Sequence, residues 1–222
     1  MASWLRRNRG FLLFLLGLAL FRTAIADWNP IPSGSMRPTL LEGDVVLVNR
    51  TAYDIKLPLT DIALLRLGEP ARGDVVTFTS PRDGERLIKR LVALPGDVVE
   101  MRDEALYING SRAGYTQRGA GSEPMEDGSI TSVVRATERL AQRDHAVQFL
   151  PQLRALRSFG PVVVPPGQYF MLGDNRDDSN DSRYIGFVPR RLLIGRAHHI
   201  LASADIKGSW APRPARFGRA ID

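Results

Sequence analysis

Ser33, Gly34 and Ser35 lie within Ile31-Pro-Ser-Gly-Ser-Met-Arg-Pro-Thr-Leu40, and two hydroxyls around one glycine are the parts of a nucleophile turn. Glycine opens backbone angles closed to other residues. A hydroxyl and nearby backbone N–H groups can then converge on one point, as an attacking serine and its oxyanion site require. The same three residues also suit an ordinary surface turn. A serine needs a base, and the histidines supply none in a recognisable pattern. His198 and His199 are neighbours on a candidate strand, where they point to opposite faces, and His145 lies in a weakly patterned stretch.

Lysine is the more informative candidate, because only Lys56, Lys89 and Lys207 among the 30 basic residues are lysines. Lys89 stands in Arg86-Leu-Ile-Lys-Arg-Leu-Val-Ala-Leu-Pro-Gly-Asp97, where strand alternation puts Leu87, Lys89 and Leu91 on one face. Arginine keeps its proton in proteins, whereas a lysine desolvated beside another cation gives it up. A fall in pKa from about 10.4 to about 8 is worth roughly 3 kcal/mol, within the reach of burial. An exposed strand lysine is the alternative reading. A third cluster, Gly173-Asp-Asn-Arg-Asp-Asp-Ser-Asn-Asp-Ser-Arg183, mixes acids and arginines between two β-type runs. It suits a solvated loop, a Ca²⁺ site without the ligand spacing of an EF-hand, or internal ion pairs with Ser179 free to bond a buried amine.

The elements that must position these residues read as strands. Gly-Asp-Val-Val occurs at 43–46, 73–76 and 96–99, each time as a turn followed by a β-branched run. The unequal spacing makes this recurrent turn chemistry and not a repeat. Further strand candidates are Arg86 to Ala93, Ala105 to Asn109, Val162 to Val164, Gln168 to Leu172 and Leu193 to Ser203, with Asn109-Gly110 as a turn. The expected body is therefore antiparallel and mostly β, built from 27–109 and 161–204. Residues 110–160 form an inserted subdomain, within which 132–157 fits either strands or an amphipathic helix. The Pro-, Arg- and Gly-rich segment 205–222 reads as a loosely ordered tail or a membrane-surface contact.

With 222 residues and 44% apolar composition, the chain holds one sizeable core or two small ones. No cysteine is present, which removes disulfides, thiolate metal sites and cysteine nucleophiles. The net charge of +6 is concentrated at the start: Arg6, Arg7, Arg9 and Arg22 fall in the first 26 residues, which contain no acid. The remainder lacks a basic stripe interleaved with aromatics, so nucleic acid is not an expected partner. Residues 1–9 form a short basic terminus, and 10–26 form an apolar segment of about 17 residues, roughly 25 Å if helical. It reads as a signal anchor, with Ala24-Ile25-Ala26 keeping a cleavable signal peptide open. Either way the basic flank leaves the N-terminus cytoplasmic and exports the body.

In this order and behind an apolar segment, Pro-Ser-Gly-Ser-Met, Lys-Arg with Leu-Pro-Gly-Asp, and Gly-Asp-Asn-Arg-Asp resemble the type I signal peptidases, or leader peptidases. The resemblance covers Asn29 to Val48, Arg72 to Met101 and Val162 to Ala202. It implies an antiparallel-sheet catalytic body of the signal-peptidase type with an inserted subdomain, behind one N-terminal transmembrane helix. The implied activity is a serine endopeptidase that cuts after small-x-small sites, with no metal or other cofactor.

Ser35 would be the nucleophile and neutral Lys89 the general base, with Ser33 and the Ser35 N–H lining the oxyanion hole and Ser179 orienting the lysine. Arg90, Asp174, Arg176, Asp181 and Arg183 would form an ion-pair scaffold. Ile31, Pro32, Met36, Leu40, Leu87 and Ile88 match positions that form shallow substrate pockets, with core packing as the competing role. Asp178 stands where the family commonly has Asn, and an outward orientation is expected for it. The implied partners are preprotein signal peptides and the lipid bilayer. A monomer is expected, single-pass in the cytoplasmic membrane with its body on the extracytoplasmic or periplasmic side. The rivals are a non-enzymatic membrane-tethered β module, a self-cleaving repressor of related chemistry, and a peptidase dedicated to one secretion or conjugation system.

Overall fold

The computed structural model describes residues 4, 7–57, 60, 62–124 and 129–221. The three Gly-Asp-Val-Val segments share one local design. Gly43, Gly73 and Gly96 have φ of +86°, +90° and +88°, the left-handed region that glycine enters without strain. The aspartate that follows each one accepts the N–H three residues back, Asp44 from Leu41 at 2.8 Å, Asp74 from Ala71 at 3.0 Å and Asp97 from Leu94 at 2.6 Å. Each turn then releases a strand: β2 (Asp44–Asn49), β5 (Val75–Thr79) and β7 (Val98–Arg102).

The largest sheet has seven strands in the order β1-β2-β16-β5-β6-β14-β15, each antiparallel to its neighbours. The strands not yet placed are β1 (Ala26–Pro30), β6 (Arg86–Ala93), β14 (Gln168–Leu172), β15 (Val188–Pro189) and β16 (Leu193–Ser203). A four-stranded sheet joins β7 to β8 (Ala105–Ile108), β9 (Ser111–Arg112) and β13 (Phe159–Val163). β3 (Asp54–Lys56) and β4 (Ala63–Arg66) form a small hairpin. A cluster of Ile31, Met36, Leu40, Val46, Val48, Val75, Ala197 and Ile200 fills the core under the Ser33–Ser35 turn.

The segment that fitted either strands or a helix is β. β10 (Gly114–Pro124), β11 (Ile130–Leu140) and β12 (Arg143–Phe149) make an antiparallel meander. Its pattern was ambiguous because the buried positions of β11, Val133, Ala136, Glu138 and Leu140, mix a spacing of three with spacings of two. One of them is also a charge.

One expectation is corrected here. The segment after Asp205 is not loosely ordered: it returns along β16 through Arg213 N to Ser203 O (2.8 Å), Gly218 N to Ile200 O (2.7 Å) and Ile221 N to His198 O (2.9 Å). Arg216 then bonds Thr39 O and the Asp44 carboxylate, so arginines that composition reads as solvated act as struts. At the other end, the expected span 10–26 is helical only as α1 (Arg9–Ala24), 16 residues, because the chain turns into β1 at Ala26. Among the described residues no helix is long and apolar enough to cross a membrane. None of the residues of α1 is buried.

Candidate active site

Ser35 sits in a 3-10 turn, Gly34–Met36, that β1 delivers to the edge of the large sheet. Met36 has no accessible surface and plugs the turn into the core, while Arg37 N closes it on Gly34 O at 3.0 Å. Lys89 comes from β6. That strand pairs with β5 over residues 86–90 but with β14 only from Arg90 onward, so residues 86–89 keep one edge unpaired. Lys89 Nζ donates to Ser35 Oγ at 2.7 Å and to Ile88 O at 3.0 Å. The lysine is 2% exposed, and burial lowers its pKa from 10.5 to about 8 against the opposing charges of Asp181, Asp174 and Asp178. Asp178 is exposed, yet its charge still reaches the amine.

Ser33 is exposed, with its Oγ 3.5 Å from Ser35 Oγ. Ser179 does not bond the Lys89 amine: its buried Oγ has no hydrogen-bond partner. It lies instead against Gly173, where an added Cβ would stand 2.2 Å from Ser179 Oγ and 2.5 Å from Ser35 O. The absence of a side chain at Gly173 is what lets the polar loop close on the back of the serine turn. Asn175 completes that contact, donating its N–H to Ser35 O at 3.2 Å and its Nδ2 to Gly34 O at 3.1 Å.

Asp174, Asp177 and Asp181 of this loop each face an arginine. Arg90 is bidentate to Asp174, both bonds at 2.8 Å and both residues buried, and it also donates to Gly73 O at 2.8 Å. Burial alone would push the Asp174 pKa up; Arg90, with Thr39 Oγ1 at 2.5 Å, holds it below the usual carboxylate range. Arg183 pairs with Asp181, which also accepts the Gly173 N–H. Arg176 reaches out of the loop to Glu138 of β11, both buried. Asp177 accepts from Arg157 and Leu150 N. These carboxylates point apart, and among the described residues no group of three or more acids or histidines could hold a metal ion.

Residues 2–202 match the family model described as "Signal peptidase, peptidase S26". The chain belongs to the signal peptidase family. It is 37% identical to the signal peptidase I of Pseudomonas aeruginosa over 224 residues, which is 95% of this chain and 77% of that one. It is 36% identical to that of Rickettsia typhi over 209 residues, 87% of this chain and 78% of that one. The crystal structure of a signal peptidase I from Enterococcus faecalis aligns at a TM-score of 0.35 and 36% identity, over 58% of this chain and 96% of that one. The protein is thus a hydrolase, a signal peptidase whose substrates are preproteins carrying signal peptides.

The pocket candidates of this signal peptidase divide by depth. Pro32 is exposed, Leu87 and Ile88 are half-buried and Ile31 is 3% exposed, whereas Met36 and Leu40 have no accessible surface and pack the core. Those two shape a pocket only from behind. The histidines depart from expectation as well. A bulge in β16 between Ala197 and His199 turns the rings of His198 and His199 to the same side, 6.2 Å apart and 17° from parallel. Thr39, Gly173, Asn175 and Glu138 were not singled out. Gly173 and Asn175 stood in plain view in the polar block, but nothing in the sequence around Glu138 marks it as the partner of Arg176.

Proposed function

We propose that this chain is a membrane-anchored serine endopeptidase that removes signal peptides with a serine-lysine dyad, Ser35 the nucleophile and neutral Lys89 the general base. The observation that carries this is the 2.7 Å contact between Lys89 Nζ and Ser35 Oγ, made by a lysine whose burial lowers its pKa to about 8. Lys89 Nζ takes the Ser35 proton as Oγ bonds the scissile carbonyl carbon, and the C=O electron pair moves to oxygen, facing the Ser33 hydroxyl and the Ser35 N–H. Collapse expels the amine of the mature chain, which receives the proton from the Lys89 ammonium and leaves an ester on Ser35. Lys89 then takes a proton from water as its oxygen adds to the ester carbonyl, and Ser35 departs with that proton. In this reading Ser179 positions the loop that carries the acids, and the ion pairs of Arg90, Asp174, Arg176, Asp181 and Arg183 hold it against the dyad.

The signal peptide would add as a strand beside residues 31–33, next to the unpaired edge of β6 at residues 86–89. Small side chains one and three residues before the cut would meet Ile31, Pro32, Leu87 and Ile88. α1 is the anchor in this reading. Phe11, Leu13, Phe14, Leu16 and Phe21 are exposed on it, and such apolar surface favours lipid over water. Its length of about 24 Å falls short of a hydrocarbon core of about 30 Å, a mismatch met by local thinning. The basic start of the chain would stay cytoplasmic, placing the body outside the cytoplasmic membrane. One chain holds the whole constellation, so a monomer suffices.

The test is cleavage of a preprotein by the full chain in lipid vesicles. Ser35→Ala and Lys89→Arg should each abolish it while circular dichroism and thermal unfolding stay close to wild type. Lys89→Arg keeps the charge and removes only the capacity to accept a proton, so cleavage surviving in that variant would overturn the dyad.

A further inference from the structure

Asp27 is the second residue of β1, three residues beyond the end of α1, and three arginines gather around its buried carboxylate. Arg22, in the last turn of α1, donates Nε to Asp27 Oδ1 at 2.9 Å. Arg86, the first residue of β6, donates Nη1 to Asp27 Oδ2 at 3.1 Å and to Asn29 Oδ1 at 3.0 Å. Arg50 Nη1 stands 3.9 Å from the same oxygen. Three guanidinium groups thus surround one carboxylate, and the side chains of Arg22 and Arg86 remain 46% and 50% exposed. Each has five N–H donors, of which Asp27 and Asn29 use a minority. Arg22 also lies over the Trp28 ring at 4.5 Å.

An exposed apolar helix whose last turn carries an arginine stacked on a tryptophan suits the border of a bilayer, where hydrocarbon gives way to an aromatic belt and a phosphate layer. We propose that Arg22 and Arg86, held on Asp27, bind the phosphodiester headgroup of an anionic phospholipid. This rests on the reading of α1 as the membrane anchor. A phosphodiester accepts N–H bonds from both exposed guanidiniums without displacing Asp27, which keeps the two side chains aligned for it. The site joins the foot of β1, which leads to the serine turn, to the start of β6, three residues before Lys89. A bound headgroup would therefore fix the height of Ser35 and Lys89 above the hydrocarbon and favour a scissile bond presented at the membrane surface. A soluble peptide would gain nothing from it.

The test uses the full chain in vesicles of phosphatidylcholine alone and of phosphatidylcholine mixed equally with phosphatidylglycerol. Wild type should cleave a co-reconstituted preprotein faster in the anionic vesicles, by about five-fold for each arginine engaged, with the gain fading as salt is raised. Arg22→Gln combined with Arg86→Gln should show no gain from phosphatidylglycerol, cleaving at one rate in both kinds of vesicle. Arg86→Gln alone keeps Arg22 on Asp27 and should lose part of the gain, which preserves the test if the double variant fails to fold. An undiminished phosphatidylglycerol gain in these variants overturns the headgroup site and leaves the anchor intact. Failure of wild type to float with phosphatidylcholine vesicles overturns the anchor, and the site with it.

Discussion

Lys56 and Lys89, two of only three lysines in the chain, are both buried, and their surroundings separate them. Lys56 Nζ donates to the carbonyls of Leu193 and Arg191. Lys89 meets one carbonyl and a hydroxyl, and desolvation dominates its pKa. The sign of the pH dependence follows. On the proposed mechanism the neutral amine is the active form, so peptide cleavage should climb about ten-fold per pH unit on the acid side and level off above pH about 8. Asp178 raises the Lys89 pKa through its charge, so Asp178→Asn should move the midpoint of that profile to lower pH. An unmoved midpoint would show that solvent screens the aspartate completely. Stability responds to the same group. The folded pKa lies below that of the unfolded chain, so between about 8 and 10.5 the unfolded state binds more protons and Lys89 adds stability as pH rises; below about 8 this contribution is lost.

At the scale of elements, two backbone devices hold the site: a turn that plugs Met36 into the core, and a loop that closes on it over Gly173. The second tolerates no side chain. Gly173→Ala puts a methyl within 2.5 Å of Ser179 Oγ and Ser35 O, so loop and turn must separate. The expected outcome is a loss of about 1–3 kcal/mol in denaturant unfolding, as for an overpacked core. Cleavage should fall by more than that loss of folded protein explains, because Asn175 leaves Ser35 O. A variant with reduced stability and wild-type kcat would show that the approach serves packing alone. The Gly-Asp-Val-Val turns are the other recurrent device. Each aspartate bonds back into its own turn and also meets an arginine from elsewhere, Arg216 on Asp44, Arg143 on Asp74 and Arg72 on Asp97.

Across the whole molecule, the inserted meander and the C-terminal segment converge on the serine turn from separate parts of the sequence. Glu138 of β11 faces Arg176 with both side chains buried, and the Arg176 backbone N–H donates to Gln148 O at the end of β12. Burial opposes the charged form of Glu138, and Arg176 with His145 nonetheless holds its pKa far below the usual range. Glu138→Gln would leave Arg176 buried without its counter-charge. We expect a loss of about 3–5 kcal/mol in chemical denaturation, much larger than for the exposed Asp178→Asn. A loss under about 1 kcal/mol would mean that solvent reaches Arg176 when the carboxylate is gone. On the opposite flank Arg216 bonds Thr39 O, four residues after Ser35, so the end of the chain braces the segment that follows the turn.

The strand order along the chain was legible because it depends on neighbours in sequence: glycine turns, β-branched runs and period-two alternation act over a few residues. Ser35 and Lys89 could be nominated for the same kind of reason, one from a glycine-opened turn and the other as a rare lysine beside apolar residues. The sequence also showed that acids and arginines alternate through the loop 173–183. It did not show that Arg176 leaves that loop for Glu138, that Ser179 stands beside Gly173 and makes no bond to Lys89, or that the arginine-rich tail is pinned to Thr39 and Asp44. Only the tertiary structure decided these. The arginine contacts join groups far apart in the chain, 38 residues for Arg176 and Glu138 and 177 for Arg216 and Thr39, and the local sequence of each group is identical whether it is paired or solvated. Whether a charge is buried, and by what, is a property of packing, and packing is where the Lys89 pKa of about 8 arises.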